Sequence, residues 1–285
     1  MTGPLEHVLV AHAKDCFRSQ EYLTSNWRSY GFLFEPSFDD ACRESDQFIG
    51  ILADSGARIE MLPEELCIGL DSIYVRDPLI ACGPGFLSGS MGKELRRGEP
   101  ASLASCLSSF GMQATSITDP SALIEGGDIV WLRPDVVAVG EGFRTNRSGI
   151  DALTAFCGDS VSDVIAVPVP YWNGADDVLH LMSMVSPLST THLLVHSRLM
   201  PVPFRQELLN LGFTLLEVPQ EEYDILGCNV LALDESTCLV EMQNIKTIRM
   251  LSENGWRVLT YDGRNISQAG QGGPTCLTRP LKRSR

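Results

Sequence analysis

The stretch MQATSITDPSALIEGGDIVWLRPDVVAVGEG, residues 112–142, holds three short apolar runs separated by polar turns. The first (112–118) leads through Asp-Pro-Ser to ALIEGGDIVWL (122–132), which opens on a polar residue, Glu125. DVVAVGEG (135–142) follows after Arg-Pro. Runs this short, rich in Val and Ile and bounded by Gly, Pro and Asp, read as strands rather than helices. The same order recurs along the chain. GARIEMLP (56–63) leads to DSIYVRDPLIACG (71–83). DVIAVPVP (163–170) leads to DVLHLMSMVS (177–186) and THLLVHS (191–197). FTLLEVPQ (213–220) leads to ILGCNVLALD (225–234) and TCLVEM (237–242), and WRVLTYDG (256–263) leads to GGPTCLTRPL (272–281).

The polar residue near the start of each second strand is Asp77, Glu125, His180, Asn229 or Cys276, at steps of 48, 55, 49 and 47 residues. Five units at such a period imply a ring of similar units rather than an open sheet. The N-terminal strand HVLVAHA (7–13) is expected to complete the last unit and close the ring non-locally. Helix-like stretches lie between the strands: 38–56, 99–111, 146–158, 202–212 and 245–255. Their apolar spacing is near 3.6 and they end at glycine. If the second strands line the axis, two carboxylates, a histidine, an amide and a cysteine meet there, an inventory suited to catalysis. Five unrelated polar residues at strand ends are the plainer alternative.

Composition narrows the partners. The chain has 285 residues, 44% hydrophobic and 20% charged, enough for a sizeable core. Mean hydropathy is +0.03, and no apolar run approaches the roughly 18 residues of a membrane helix. No basic stretch precedes an apolar one at the N-terminus, so no signal peptide is expected. The formal charge of −14 argues against nucleic acid. It is compatible with a small cationic ligand, although acidic solubility alone would account for it. Nine cysteines without C-x-x-C spacing predict reduced, mostly buried thiols and a cytoplasmic location. HLLVH (192–196) reads as a strand rather than a metal site, GPGFLSG (83–89) as a turn, and the Asp pairs 39–40 and 176–177 as helix starts or solvated loops. Residues 21–36 carry Trp27 and Tyr30, and read either as a hydrophobic cover or as a lid that excludes water.

Five motifs carry a family resemblance. YVRDP (74–78), IEGGD (124–128), FRTN (143–146), LHLMS (179–183) and GGPTC (272–276) resemble the guanidine-modifying enzymes, closest to dimethylarginine dimethylaminohydrolases and arginine deiminase-like hydrolases. The resemblance implies one catalytic domain over residues 1–285. Its fold would be a five-bladed, pseudo-symmetric α/β propeller with the site on the central axis. It implies Cys276 as nucleophile, His180 as acid and base, and Glu125 as the carboxylate pairing with histidine and substrate. Asp77 and Asp71 would hold the guanidinium, and Arg144 and Arg96 a substrate carboxylate. The expected partner is a small guanidino substrate, with no metal, no organic cofactor and no membrane; monomer and homodimer stay open.

These residue types suit the chemistry. Paired carboxylates fix a planar cation by charge-assisted hydrogen bonds. A thiolate can then attack its carbon, and a histidine protonates the leaving amine. Two departures bear on substrate. Where deiminases and amidinotransferases have H-x-D, this chain has His180-Leu181-Met182, so a methionine able to tolerate N-alkyl groups replaces an acceptor. Arg76 stands where many dimethylarginine hydrolases carry an acid. The expected activity is hydrolysis of an Nω-methylated arginine to citrulline and an alkylamine through a thiouronium. The alternatives are hydrolysis of arginine or another guanidino compound, amidino transfer, and a non-catalytic propeller that only binds.

Overall fold

The structure, a computed structural model, describes residues 2–175 and 179–284. Asp176 and Asp177, expected at a helix start or in a loop, lie outside the described residues. The chain opens with β1 (Leu5–Val10), α1 (Ala13–Phe17), α2 (Gln20–Asn26), α3 (Phe38–Asp54) and β2 (Arg58–Met61). It continues through β3 (Leu79–Cys82), β4 (Gly85–Ser88), α4 (Glu99–Ser109) and β5 (Ala114–Thr115). Next come β6 (Ile129–Arg133), β7 (Val136–Glu141), α5 (Arg147–Cys157) and β8 (Asp163–Pro168). Then follow β9 (Val185–Pro187), β10 (His192–Val195), α6 (Val202–Asn210) and β11 (Thr214–Glu217). The last elements are β12 (Leu231–Ala232), β13 (Thr237–Glu241), α7 (Ile245–Glu253), β14 (Arg257–Tyr261) and β15 (Thr278–Arg283).

These strands form five small three-stranded sheets of one design. An inner strand pairs antiparallel with a middle strand, and the middle strand pairs parallel with an outer one, as in β6-β7-β8. A parallel pair needs a crossover connection, and each of the five helical stretches expected from the sequence supplies one. The fifth sheet joins β15 to β1 and β2, so the N-terminal strand completes it. The strand grouping shifts by one from the sequence repeat. The run that begins each unit by eye, such as 112–118, pairs as β5 with the preceding sheet, because the crossover helix returns it to the strand it has just left.

The helices follow from their patterning. In α3 the buried residues Ala41, Glu44, Ser45, Phe48 and Leu52 recur at helical spacing, and Ser37 caps the first turn by accepting from the Asp40 N–H. Just past the ends of α3 to α7 stand Gly56, Gly111, Gly158, Gly212 and Gly255, all at positive φ, the left-handed region where a helix stops.

Inner strands of neighbouring sheets lie side by side: β15 with β3, β6 with β9, β9 with β12. The polar residues sit just ahead of these strands rather than inside them. Glu125 and His180 each precede a one-turn 3-10 helix, at Gly126–Asp128 and Leu181–Ser183.

One expectation is corrected. Cys82, at the end of β3, and Cys157, at the end of α5, form a disulfide with Cα atoms 6.2 Å apart. Not all thiols are therefore reduced. The partners lie 75 residues apart and meet because Ile150, Leu153 and Cys157 of α5 share a hydrophobic cluster with Ile80 of β3 and Leu87 of β4. The other seven cysteines are free, five of them buried. No helix among the described residues is long and apolar enough to cross a membrane.

Candidate active site

Asp77 lies in the turn ahead of β3. Its Oδ1 accepts from the Gly127 N–H at 2.9 Å and its Oδ2 from Arg96 Nη1 at 2.7 Å. The Gly127 position explains the EGGD motif. A Cβ there would come within 2.4 Å of His180 Nδ1 and 2.8 Å of Asp77 Oδ1, so a side chain would separate the two sheets that meet here. Glu125 is fully buried. Its Oε1 accepts from the Gly92 N–H at 2.9 Å, and its Oε2 lies 2.8 Å from His180 Nε2, with Arg144 Nη1 at 3.4 Å from Oε1. His180 Nδ1 is 3.9 Å from Asp77 Oδ1, so the imidazole stands between two carboxylates. Asp128 accepts from the Leu181 N–H at 2.9 Å and from Thr145 Oγ1 at 2.7 Å, which holds the backbone beside the histidine.

The electrostatics follow. Burial pulls the His180 imidazole down, but Asp77, Asp128 and Glu125 outweigh it and hold it up at about 9. Burial pushes Glu125 up, while His180, Arg144 and Arg96 oppose it and keep the carboxyl well below its ordinary value. His180 is therefore an imidazolium at neutral pH, paired with a carboxylate.

Cys276 precedes β15. Asn229 Oδ1 accepts both the Thr275 N–H at 3.0 Å and Thr275 Oγ1 at 2.8 Å, which turns Asn229 Nδ2 toward the sulfur, 3.5 Å away. A Cβ at Gly273 would lie 2.5 Å from the Asn229 side chain, so the glycine lets the turn approach it. Arg76 donates from Nε to Thr275 O at 2.9 Å and from its backbone N–H to Cys276 O at 3.2 Å. Burial and the Asp77 charge push the thiol up, against Asn229, Thr275 and Arg76. A cation seated beside it would bring it down.

Cys276 and His180 line two adjoining spaces. One is a tight charged recess of about 30 Å³, closed by Tyr30 and Gly31 and lined by Asp71, Asp77, Lys93, Arg96 and Arg144. The other, about 380 Å³, is walled by Leu33, Trp172, Met182, Tyr223 and Asn229. The structure thus brings all seven residues singled out in the sequence to one place. Arg96 is buried and committed, to Asp77 and to Glu99, 2.8 Å from its Nη2. Asp71 is paired with Lys93 at 2.5 Å.

Sequence reading missed Lys93, which also donates to Tyr30 O and so ties residues 21–36 to the recess. It missed Asp128 too, although EGGD contains it. A buried carboxylate beside a glycine pair was the available signal.

Among the described residues Asp77, Glu125 and His180 place ligand atoms within 4.8 Å of one another. The donor set does not favour a metal ion. Both carboxylates already accept from backbone N–H groups, and Arg96 and Arg144 would stand against a dication.

The arginine deiminase family model matches residues 71–212 and 203–283. An uncharacterized Bacillus subtilis protein, YkgA, is 30% identical over 75% of this chain and 70% of its own. The N(G),N(G)-dimethylarginine dimethylaminohydrolase of Streptomyces coelicolor is 29% identical over 85% of this chain and 86% of its own. An arginine deiminase of Mycobacterium marinum is 26% identical over 98% of this chain and 75% of its own. Among solved structures, a mutant DDAH from Pseudomonas aeruginosa complexed with citrulline superposes with a TM-score of 0.76 at 22% identity, covering 96% of this chain and 98% of that one. The N-terminal domain of ArgZ, a cyanobacterial arginine dihydrolase, bound to product, gives 0.79 at 16% identity over 97% of both. Mixed α/β architecture, family model and curated relatives agree: the chain belongs to the arginine deiminase family of hydrolases acting on guanidino carbon–nitrogen bonds.

Proposed function

We propose that the protein hydrolyses an Nω-methylated arginine, with the five sheets arranged as the blades of a pseudo-five-fold propeller and the chemistry at its axis. One observation carries the reading: a thiol, an imidazolium and the carboxylates of Asp71 and Asp77 line one tight recess, and the buried Glu125 pairs with the imidazolium behind it. Asp77 and Glu125 hold the guanidinium plane, and Asp71 adds a third negative charge. The bound cation lowers the affinity of Cys276 for its proton, which is lost to solvent as the substrate seats, and the thiolate attacks the guanidine carbon. His180 gives its proton to the departing alkylamine, leaving a thiouronium on sulfur. The neutral imidazole then takes a proton from water as the oxygen attacks that carbon, and the thiolate leaves a ureido product. Residues 21–36 serve as a lid, since Tyr30 and Gly31 close a recess too small for substrate entry.

Arg144 and Arg96 serve the substrate's carboxylate, Arg96 exchanging its hold on Asp77 for that role as the substrate guanidinium takes its place. Arg144→Lys is expected to weaken kcat/KM for amino-acid substrates far more than for a decarboxylated one such as agmatine, because lysine lacks the bidentate fork. Equal losses on both would make the arginine structural.

The methylated substrate is favoured by Met182, which is buried and lines the wider space beside His180 and Cys276. A 3-10 turn, not a regular strand, joins it to His180, so strand alternation does not decide its direction. An unsubstituted N–H against the thioether loses a hydrogen bond, about 1–3 kcal/mol. An N-methyl loses none and gains ~0.8 kcal/mol per carbon buried. The deciding assay measures ureido product from arginine, monomethyl- and dimethylarginine, agmatine and guanidino acids. Wild type is expected to prefer dimethylarginine over arginine by about one to three powers of ten, and Met182→Asp to narrow the gap. A preference for arginine, unchanged in Met182→Asp, would instead support a plain deiminase.

A further inference from the structure

A second cavity, about 340 Å³, is lined by Arg76, Arg133, Arg279, Lys282 and Arg283 and by no carboxylate. It shares only Met182 with the wider space beside Cys276 and none of the recess residues. Lys282 is neutralised by Glu6 at 2.6 Å. The arginines have no such partner: among the described residues no carboxylate forms an ion pair with Arg76, Arg133, Arg279 or Arg283. Their hydrogen bonds go to carbonyls: Arg279 Nη1 to Leu79 O at 2.7 Å, Arg76 Nε to Thr275 O at 2.9 Å, Arg133 Nη2 to Leu211 O at 2.5 Å, and Arg283 to Gly3 O and Ala232 O, each at 2.7 Å. Arg279 is 5% exposed, and its buried Nε finds no hydrogen-bond partner among the described residues.

Burial of Arg76 and Arg279 without a paired carboxylate is costly. Burial, Arg76 and Arg283 together push Arg279 far below the ordinary arginine range, against a weaker opposing pull from Asp77. An anion in the cavity relieves all of this at once. The remaining walls are apolar, with Trp131 and Leu231 among them, and the volume suits a small organic molecule.

We propose that this cavity is a binding site for a small organic anion, a carboxylate or phosphate monoester with an apolar body, held by Arg279, Arg76 and Arg133. The site abuts the thiol through Arg76, which bonds the backbone of both Thr275 and Cys276. An anion there offsets the positive charge that favours the Cys276 thiolate, so occupancy slows the thiol's reactions.

The test is calorimetric titration of the full chain with phenyl phosphate and with phenylacetate, against chloride at matched ionic strength. Saturable one-to-one binding of at least one probe is expected, and which probe binds tells phosphate from carboxylate. Arg279→Gln should weaken it about tenfold or more, the loss of a charge-assisted pair. Arg133→Glu changes an exposed rim residue and should weaken it without threatening the fold. Arg144→Lys, in the recess, should leave it unchanged. Absence of binding by both probes overturns the proposal. So does binding that survives Arg133→Glu and Arg279→Gln, or binding lost in Arg144→Lys alone, which would put the anion in the recess.

Discussion

Cys276→Ser is expected to abolish turnover, by about 10⁴-fold or more, while the protein still folds. A hydroxyl is a far weaker nucleophile than a thiolate. It is nearly isosteric and can accept the Asn229 Nδ2 hydrogen bond that now meets the sulfur, so the melting temperature should barely move. A rival thiol makes the experiment sharp. Cys228 lines the same space as Cys276, but burial pushes it far up, and its sulfur lies 3.8 Å from Leu194 O. Quenching a slow substrate in acid and mapping the adduct by mass spectrometry should find it on Cys276. An adduct on Cys228, or full activity in Cys276→Ser, would falsify the assignment.

His180→Ala is expected to cost roughly 10²–10⁴-fold in kcat, the usual worth of a positioned acid and base. Glu125 keeps the Gly92 N–H and Arg144 in the variant, so it is not left as a bare buried charge. The pH profile separates this role from a structural one. Acting as an acid, His180 must be protonated, so kcat/KM in wild type should fall as pH rises past about 9, where the imidazolium loses its proton. The residual activity of His180→Ala should lack that alkaline limb.

Stability has the same sign. The raised value means that the folded state binds the proton more tightly than the unfolded one. The histidine's contribution is complete below its ordinary 6.5 and disappears as pH rises through about 9. Wild type should lose stability relative to His180→Ala across that window. A wild-type profile flat to well beyond 9, or a variant that keeps the limb, would remove His180 from proton transfer.

The repeat was legible because each unit carries the same local instructions. Short β-branched runs bounded by Gly and Pro mark strands, and helical spacing ending at Gly56, Gly111, Gly158, Gly212 and Gly255 marks the crossovers. The five residues ahead of the inner strands were legible for the same reason, since a repeat places equivalent positions at equivalent points. Less local facts were hidden. Which sheet an outer strand joins depends on where the crossover helix returns it, and no residue in 112–118 records that. Cys82 and Cys157 meet across 75 residues of intervening chain. The hold of Arg96 on Asp77 and Glu99, and of Lys93 on Asp71, depends on side chains of different elements reaching the same few ångströms. The arginines around the second cavity come from three sheets: TRPLKR (278–283) is basic by itself, but nothing in it records that Arg76 and Arg133 meet it there.

The seam between β1 and β15 has a mechanical consequence. The two strands run antiparallel, with Leu5 opposite Arg283 and Val10 opposite Thr278, so residues 5 and 283 lie at the same end of the ladder. A force drawing those residues apart acts across the hydrogen bonds and loads them one pair at a time. It does not shear the strands, which would make every bond share the load. The seam therefore peels from Leu5 toward Val10 at low tension. Cys276, two residues ahead of Thr278, swings away with the last pair, while the other four sheets, whose strands are contiguous in the chain, stay folded. In an optical trap with handles on these residues, the first yield should be a small low-force extension that closes again on relaxation. Under tension the first seam to give is the one that carries the thiol.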